Sequence, residues 1–157
     1  VTIRAARPDE LDAVAAMWSA MYAFQQAEGM VLPLRPDAEE IWKRENASRL
    51  DTALATVLVA EQDGALVGFL AAQTKRLPPY LATGNPKIGY ISAVYVDPAA
   101  RRGRLGRALV DAALAWFARA EVSSIELQVI ATNETARGFW TAVGFVPEIL
   151  QMRRMST

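Results

Sequence analysis

Apolar residues recur every third or fourth position near the start of the chain, give way to dense β-rich runs in the middle, and return to the helical interval after residue 104. The opening run Thr2 to Ala5 predicts a short strand, and Pro8, Asp9 and Glu10 supply the proline and acids that favour a helix's first turn. Leu11, Val14, Ala15, Trp18, Met21 and Tyr22 then build one apolar face that continues to about Glu28. After Gly29 the chain turns, and a second helix from Pro36 to near Arg49 carries Ile41 and Trp42 on its inner side. Ala53 to Glu61 and the run from Ala65 are β-rich and separated by Asp63-Gly64, which predicts an antiparallel hairpin. Leu77 to Pro86 is rich in Pro and Gly and predicts a surface loop, after which Lys87 to Val96 resumes strand character until Asp97-Pro98 stops it. A helix from about Arg104 to Arg119 has its stripe at Leu105, Leu109, Ala112, Ala113 and Trp116. Ser124 to Ile130 is a further strand, and Asn133 to Gly144 a short helix with a capping residue at each end. Phe145 onward is expected to add a last strand pair or hairpin arm. The order β-α-α-β-β-β-α-β-α-β is an α/β mixture, with the hairpin in the first half and crossovers in the second.

Length and composition narrow the chemistry. The 157 residues, 52% hydrophobic, suit one sizeable core, so a single domain over 1–157 is expected. Seventeen basic residues against seventeen acidic ones leave no net field to recruit nucleic acid or an anionic membrane, so any phosphate-binding patch must be local. With neither cysteine nor histidine, the commonest nucleophile, base and metal ligands are missing, and no metal is expected. The opening VTIRAARPDE lacks the stretches of a secretory signal, and no apolar run approaches the ~20 residues of a membrane span. A cytoplasmic protein is expected.

The informative segment is Tyr95 to Val110, YVDPAARRGRLGRALV: a strand, a sharp stop, an Arg and Gly loop, then the first turn of a helix. Unpaired N–H groups and the positive end of the macrodipole meet Arg101, Arg102, Arg104 and Arg107 there. A run of arginines by itself is a solvated loop. At a helix's positive end, however, arginines are electrostatically misplaced, and a bound phosphate removes the conflict. Gly103 and Gly106 let main chain approach a pyrophosphate closely. Neither a P-loop nor a dinucleotide fingerprint is present.

The run Val96-Asp97-Pro98 followed by R-R-G-R-L-G-R-A-L resembles the acyl-coenzyme A loop of the GNAT superfamily of N-acetyltransferases, [QR]-x-x-[GA]-x-[GA], with Arg101 in the first place and Gly106 in the last. Arg104 stands where that family usually has Gly or Ala, and Gly103 sits one residue early. Downstream, N-E-T-A-R-G-F-W-T-A-V-G-F from Asn133 to Phe145 is similar to the family's N-x-x-A-x-x-x-Y-x-x-x-G-F. The resemblance covers about Tyr90 to Phe145. It implies a mixed, mostly antiparallel central sheet flanked by helices, with strands 4 and 5 splayed, and acetyl-coenzyme A as acyl donor.

Carried over residue by residue, the resemblance implies that residues Arg101, Arg102, Gly103, Arg104, Leu105, Gly106 and Arg107 form the pyrophosphate cradle. Val94 and Val96 supply main-chain groups to the pantetheine arm, and Asn133 reaches its neighbourhood. A free strand edge offers the amide partners that an amide-bearing arm needs, and a strand N–H aimed at the thioester oxygen stabilises a developing oxyanion. The place where some relatives carry a carboxylate base falls on Tyr90, with Ser92 two residues on and facing the same side; neither is a strong base, so they order a water or the amine arrives neutral. Glu126 is the nearest alternative carboxylate, read as an exposed strand residue. The family's usual acid, a tyrosine, is Trp140 here, which leaves Tyr95, Tyr80 or water to protonate the thiolate.

The implied activity is transfer of an acetyl group to a primary amine of a small molecule or peptide. A module that keeps the fold and binds acyl-coenzyme A without turnover is the alternative. No stacking aromatics interleave the arginines, so neither nucleic acid nor membrane is an expected partner. Ile149 to Met155 offers an edge for a homodimer.

Overall fold

Strand residues of both parities are apolar, and this divides the core into two layers. In the computed structural model, which describes residues 1–101 and 104–156, the elements run β1 (Thr2–Ala5), α1 (Leu11–Ala27), α2 (Ala38–Asn46), β2 (Ala55–Gln62), β3 (Ala65–Arg76), β4 (Lys87–Val96), α3 (Leu105–Arg119), β5 (Ile125–Leu127) and α4 (Glu134–Val143). They form one five-stranded sheet of order β1-β2-β3-β4-β5. Each neighbouring pair is antiparallel except β4 and β5, which are parallel. This is the mixed, mostly antiparallel sheet flanked by helices that the resemblance implies.

Val57, Val59, Phe69, Ala71 and Ala93 face α1 and α2, where Val14, Ala15, Met21 and Trp42 cover them. Leu58, Ala60, Leu70, Ala72 and Ile91 face α3, against Leu105, Leu109, Val110, Ala113 and Phe117. Helices on both faces explain why the middle of the chain reads as unbroken apolar runs rather than as alternation. The β2–β3 turn has Asp63 at φ 51° and Gly64 at φ 79°, the left-handed pair that a two-residue hairpin requires. In β4, a β-carbon on Gly89 would lie 2.5 Å from Phe117 Cε1, so only glycine lets α3 pack on the strand there.

An ion network ties β1 to the start of the helical layer and to β2. Arg4 Nη2 lies 2.6 Å from Glu10 Oε1 and 2.6 Å from Glu61 Oε2, and the Arg7 N–H donates to Glu10 Oε2 at 2.8 Å. The Arg4 hydrogen bonds, assisted by that amide and opposed by burial, bring the Glu10 carboxyl down from 4.5 to about 2.

Four expectations change. α1 begins with a 3₁₀ turn over Pro8–Glu10, and α2 is shorter at both ends than the predicted 36–49. β5 pairs only over Ile125–Leu127, not Ser124 to Ile130, because β4 runs alongside it for three residues only. The last strand pair is absent: among the described residues, none after Val143 lies in a strand or helix. Gly144 at φ 106° closes α4, Phe145 N–H donates to Trp140 O at 3.0 Å, and beyond that point 146–156 meet no strand whose amides could pair with theirs. An apolar pattern makes a strand only where a neighbour accepts it. No helix of the described residues is long and apolar enough to cross a membrane.

Candidate active site

Where β4 and β5 part, the main chain of β4 is left facing an opening. In the first half of β4, Gly89 N–H donates to Ser124 O at 2.8 Å and Lys87 O accepts from Ser123 N–H at 2.9 Å, so the odd-numbered residues point their main chain toward β5. The register with β3 slips at Ser92, since Ala72 pairs with Ile91 but Ala71 with Ala93. A one-residue bulge exchanges which residues face which neighbour. Accordingly Asp97 N–H donates to Val67 O at 2.8 Å, on the β3 side. Val94 and Val96 therefore direct their amides and carbonyls to the β5 side, where pairing has already ended at Ile91–Leu127. Their half-buried side chains pack on the α3 layer, as ordinary core edge.

The start of α3 stands at the wide end of this opening. Arg104 caps it with no side-chain hydrogen bond, no acid occupies the first turn, and the helical ladder begins with Ala108 N–H to Arg104 O at 2.9 Å. The N–H groups of Leu105, Gly106 and Arg107 precede that bond and have no helical acceptor. A β-carbon on Gly106 would stand 3.8 Å from the Phe139 ring and 3.9 Å from Val96 Cγ2, between α4 and β4. The Leu105 side chain is buried among the α3 layer, so only its main chain is free to contact a ligand. Arg107 Nε binds Asp111 Oδ1 at 2.8 Å along the helix. Arg101 Nε donates to Val96 O at 3.0 Å while its guanidinium lies 5.6 Å from the Phe24 ring, bringing the end of α1 over the same opening. Arg102 and Gly103, the other two expected cradle residues, lie outside the described residues. Asn133 Oδ1 accepts from Ala136 N–H at 3.0 Å as the cap of α4, which leaves its amide NH₂ for any ligand contact.

At the narrow end, Tyr90 is registered with Gln73 on β3 and Glu126 on β5. Lys75, two residues beyond Gln73 on the same face, holds its ammonium 4.3 Å from the Tyr90 ring centroid and ion-pairs with Glu126. A cation, a phenol and a carboxylate thus form a row across three strands, one residue before the opening. Nothing in the sequence marks Lys75, and Glu126 reads there as a solvated strand residue; the antiparallel register is what sets Lys75 beside Tyr90 and Glu126. Ser92 sits at the bulge, exposed, with Oγ donating to Ala71 O at 3.3 Å. The bulge breaks the alternation by which a two-residue spacing would set Ser92 on Tyr90's face.

The remaining candidates separate by burial. Trp140 stacks edge-on to Phe139 at 5.0 Å and to Phe145 at 5.3 Å, an aromatic packing role. Tyr95 packs against the α1 layer, while Tyr80 is exposed on the loop before β4. Trp42 is buried, stacked on Trp18 at 5.9 Å and edge-on to Phe69, so these rings are core rather than pocket lining.

A sequence model described as Acetyltransferase (GNAT) family matches residues 18–145. The chain is 34% identical over 148 residues to a mycothiol acetyltransferase of Sanguibacter keddieii, an alignment that takes in 92% of this chain and 43% of that protein. The chain thus spans less than half the length of that relative. A mutant of the BH1408 protein from Bacillus halodurans superposes with a TM-score of 0.84 at 21% identity, covering 100% of both chains. The aminoglycoside N-acetyltransferase AAC(6')-Iy, solved in complex with CoA, superposes with a TM-score of 0.75 at 16% identity, covering 99% of this chain and 95% of that one. At these identities the two structures speak for the fold.

Proposed function

The chain belongs to the GNAT acetyltransferase family, and we propose that it transfers an acetyl group from acetyl-coenzyme A to a primary amine of a small molecule or peptide by direct attack on the thioester. The observation that carries this reading is the opening past Ile91, with the main chain of Val94 and Val96 turned into it and the uncapped start of α3 at its mouth. The fit to the donor rests on the same place. An extended arm with amides meets a strand edge with unpaired amides, and a diphosphate meets free helical N–H groups beside a position where glycine leaves room.

Acetyl-coenzyme A supplies the acyl carbon as a thioester, with a thiolate as leaving group. The amine nitrogen bonds to that carbon, the C–S bond breaks, and the nitrogen gives up one proton. A gap-facing N–H of β4 stabilises negative charge on the carbonyl oxygen. Glu126 is the carboxylate that takes the proton, through a water held by the Tyr90 hydroxyl, while Lys75 keeps the carboxylate oriented; Ser92, turned off that face at the bulge, takes no part in holding that water. Arg101, Arg102, Gly103, Arg104, Leu105, Gly106, Arg107 and Asn133 are proposed to hold the donor. The fold has no phenol at Trp140, so the thiolate is protonated from solvent. A single domain, a cytoplasmic location and a second copy of the chain as protein partner belong to the same reading. The name of the curated relatives adds mycothiol-related acceptors to the classes to be tried.

Because the chain has no cysteine, a thiol reagent reports only released coenzyme A for acceptors without a thiol, and for thiol-bearing acceptors the acetylated product is read by mass. Incubation with acetyl-coenzyme A and a panel of amines is expected to release thiol with at least one acceptor. Glu126→Gln is expected to lower kcat at least tenfold with donor affinity unchanged. Binding of coenzyme A without turnover across the panel would favour the non-catalytic module. Absence of any stabilisation by millimolar coenzyme A would remove the donor site itself.

A further inference from the structure

We infer that Arg101 is a stand-in for the donor: in the ligand-free protein its side chain holds the Val96 carbonyl and the Phe24 ring across the mouth of the opening, and coenzyme A has to displace it. The inference rests on the donor site proposed above and adds to it a positioning residue, Phe24, which lowers donor affinity by steadying the stand-in.

Three observations meet at this side chain. Arg101 Nε donates to Val96 O at 3.0 Å. That carbonyl is among the main-chain groups turned to the β5 side, beyond the last β4–β5 pair at Ile91–Leu127. The guanidinium thus takes the position that an amide of the pantetheine arm would take on a bare strand edge. The same group lies 5.6 Å from the Phe24 ring centroid, within the range of a cation–π contact. Phe24 is held there, because the last turn of α1 is tied to the opposite lip of the opening. Thr132 Oγ1, between β5 and α4, donates to Glu28 O at 2.5 Å, and a β-carbon on Gly29, at φ 122°, would come within 3.2 Å of the same Oγ1. Finally, the turn before Arg101 is pinned in its main chain: Asp97 Oδ1 accepts from Ala99 N–H at 2.8 Å, and Asp97 O accepts from Ala100 N–H at 2.9 Å. The side chain of Arg101 is the part left to move.

Its partners decide the direction of movement. A carbonyl and a ring are both neutral, and Phe24 is 43% exposed, so water screens the contact. A diphosphate offers the guanidinium charge-assisted, bidentate hydrogen bonds, about twice as strong as neutral ones. Exchanging the first partners for the second frees Val96 O for the arm and turns one arginine from plug into ligand. Only molecules in which Arg101 has let go accept the arm, so the apparent Kd rises as that fraction falls. Rotamer exchange at an exposed side chain takes ps–ns, and the device therefore shows in affinity rather than as a slow phase.

The test is titration calorimetry with coenzyme A on the whole chain. Phe24→Leu keeps apolar bulk and removes the ring face, so binding is expected to tighten about two- to fivefold, the worth of a cation–π contact at an exposed site. Phe24→Tyr keeps the ring and is expected to bind as the parent does. In an Arg101→Ala background Phe24→Leu is expected to change nothing, since the pair then has no contact to lose. A purely structural Phe24 would instead weaken binding in both backgrounds. Phe24→Leu binding no more tightly than the parent, or tightening binding equally without Arg101, overturns the inference and leaves the donor site standing. A parent chain that binds no coenzyme A overturns the donor site and the inference with it. Should Phe24→Leu fail to fold, nuclear Overhauser contacts between Arg101 and the Phe24 ring of the parent decide: they are expected to vanish on adding coenzyme A, and their persistence at saturation overturns the inference.

Discussion

Replacing Gly106 with alanine separates two reasons for a glycine at the start of α3. A methyl group there meets Phe139 at 3.8 Å and Val96 Cγ2 at 3.9 Å, ordinary contact distances, so the protein itself does not exclude it. Gly→Ala in a helix is worth about 0.5–1 kcal/mol, the lower value suiting a first-turn position. At this chain length about 1 kcal/mol moves Tm by about 2–4 °C, so the ligand-free variant should melt about 1–3 °C higher. The same methyl stands at the mouth of the opening, where the proposed diphosphate approaches the free N–H groups. Loss of that approach is expected to weaken coenzyme A binding at least tenfold, about 1.4 kcal/mol. At a ligand concentration of about a hundred times the parent Kd, stabilisation falls from about 2.7 to about 1.4 kcal/mol, so the ligand-induced rise in Tm roughly halves. Differential scanning fluorimetry with and without coenzyme A, calibrated by titration calorimetry, reads both quantities. A variant that binds with parental affinity refutes the position of the cradle, and one that melts lower without ligand shows that the glycine serves packing.

Three further outcomes follow from named contacts. Gly89→Ala forces a β-carbon to 2.5 Å from Phe117, a ring with no room in a closed core, and should destabilise by about 1–3 kcal/mol in urea unfolding; an unchanged midpoint would show that α3 shifts freely. Glu10 has its carboxyl value lowered from 4.5 to about 2, so its contribution to stability is present above 4.5 and is lost as pH falls from about 4.5 to about 2. Glu10→Gln should flatten that part of the stability–pH curve and cost about 1–3 kcal/mol at pH 7, the value of charge-assisted hydrogen bonds; a slope unchanged by the substitution would assign acid lability elsewhere. Trp140→Phe should keep kcat within about twofold while lowering stability by about 1 kcal/mol through its stacking with Phe139 and Phe145; a tenfold loss of kcat would give the indole a role in the reaction.

Local chemistry was enough for the elements, since periodicity, caps and turn residues act within a few positions of one another. Lys87–Val96 is a strand to the residue, Asp63-Gly64 turns the hairpin, Asn133 caps α4 through its side chain, and Gly144 ends it in the left-handed region. The conflict of arginines with a helix's positive end was likewise legible, because the macrodipole and the charges share one short segment. Strand pairing is another matter: it joins residues far apart in the chain, and its register depends on what the whole sheet can cover. The slip at Ser92 that turns Val94 and Val96 toward the opening, the row of Lys75, Tyr90 and Glu126, and the want of a neighbour for 146–156 were therefore decided only when five strands came together.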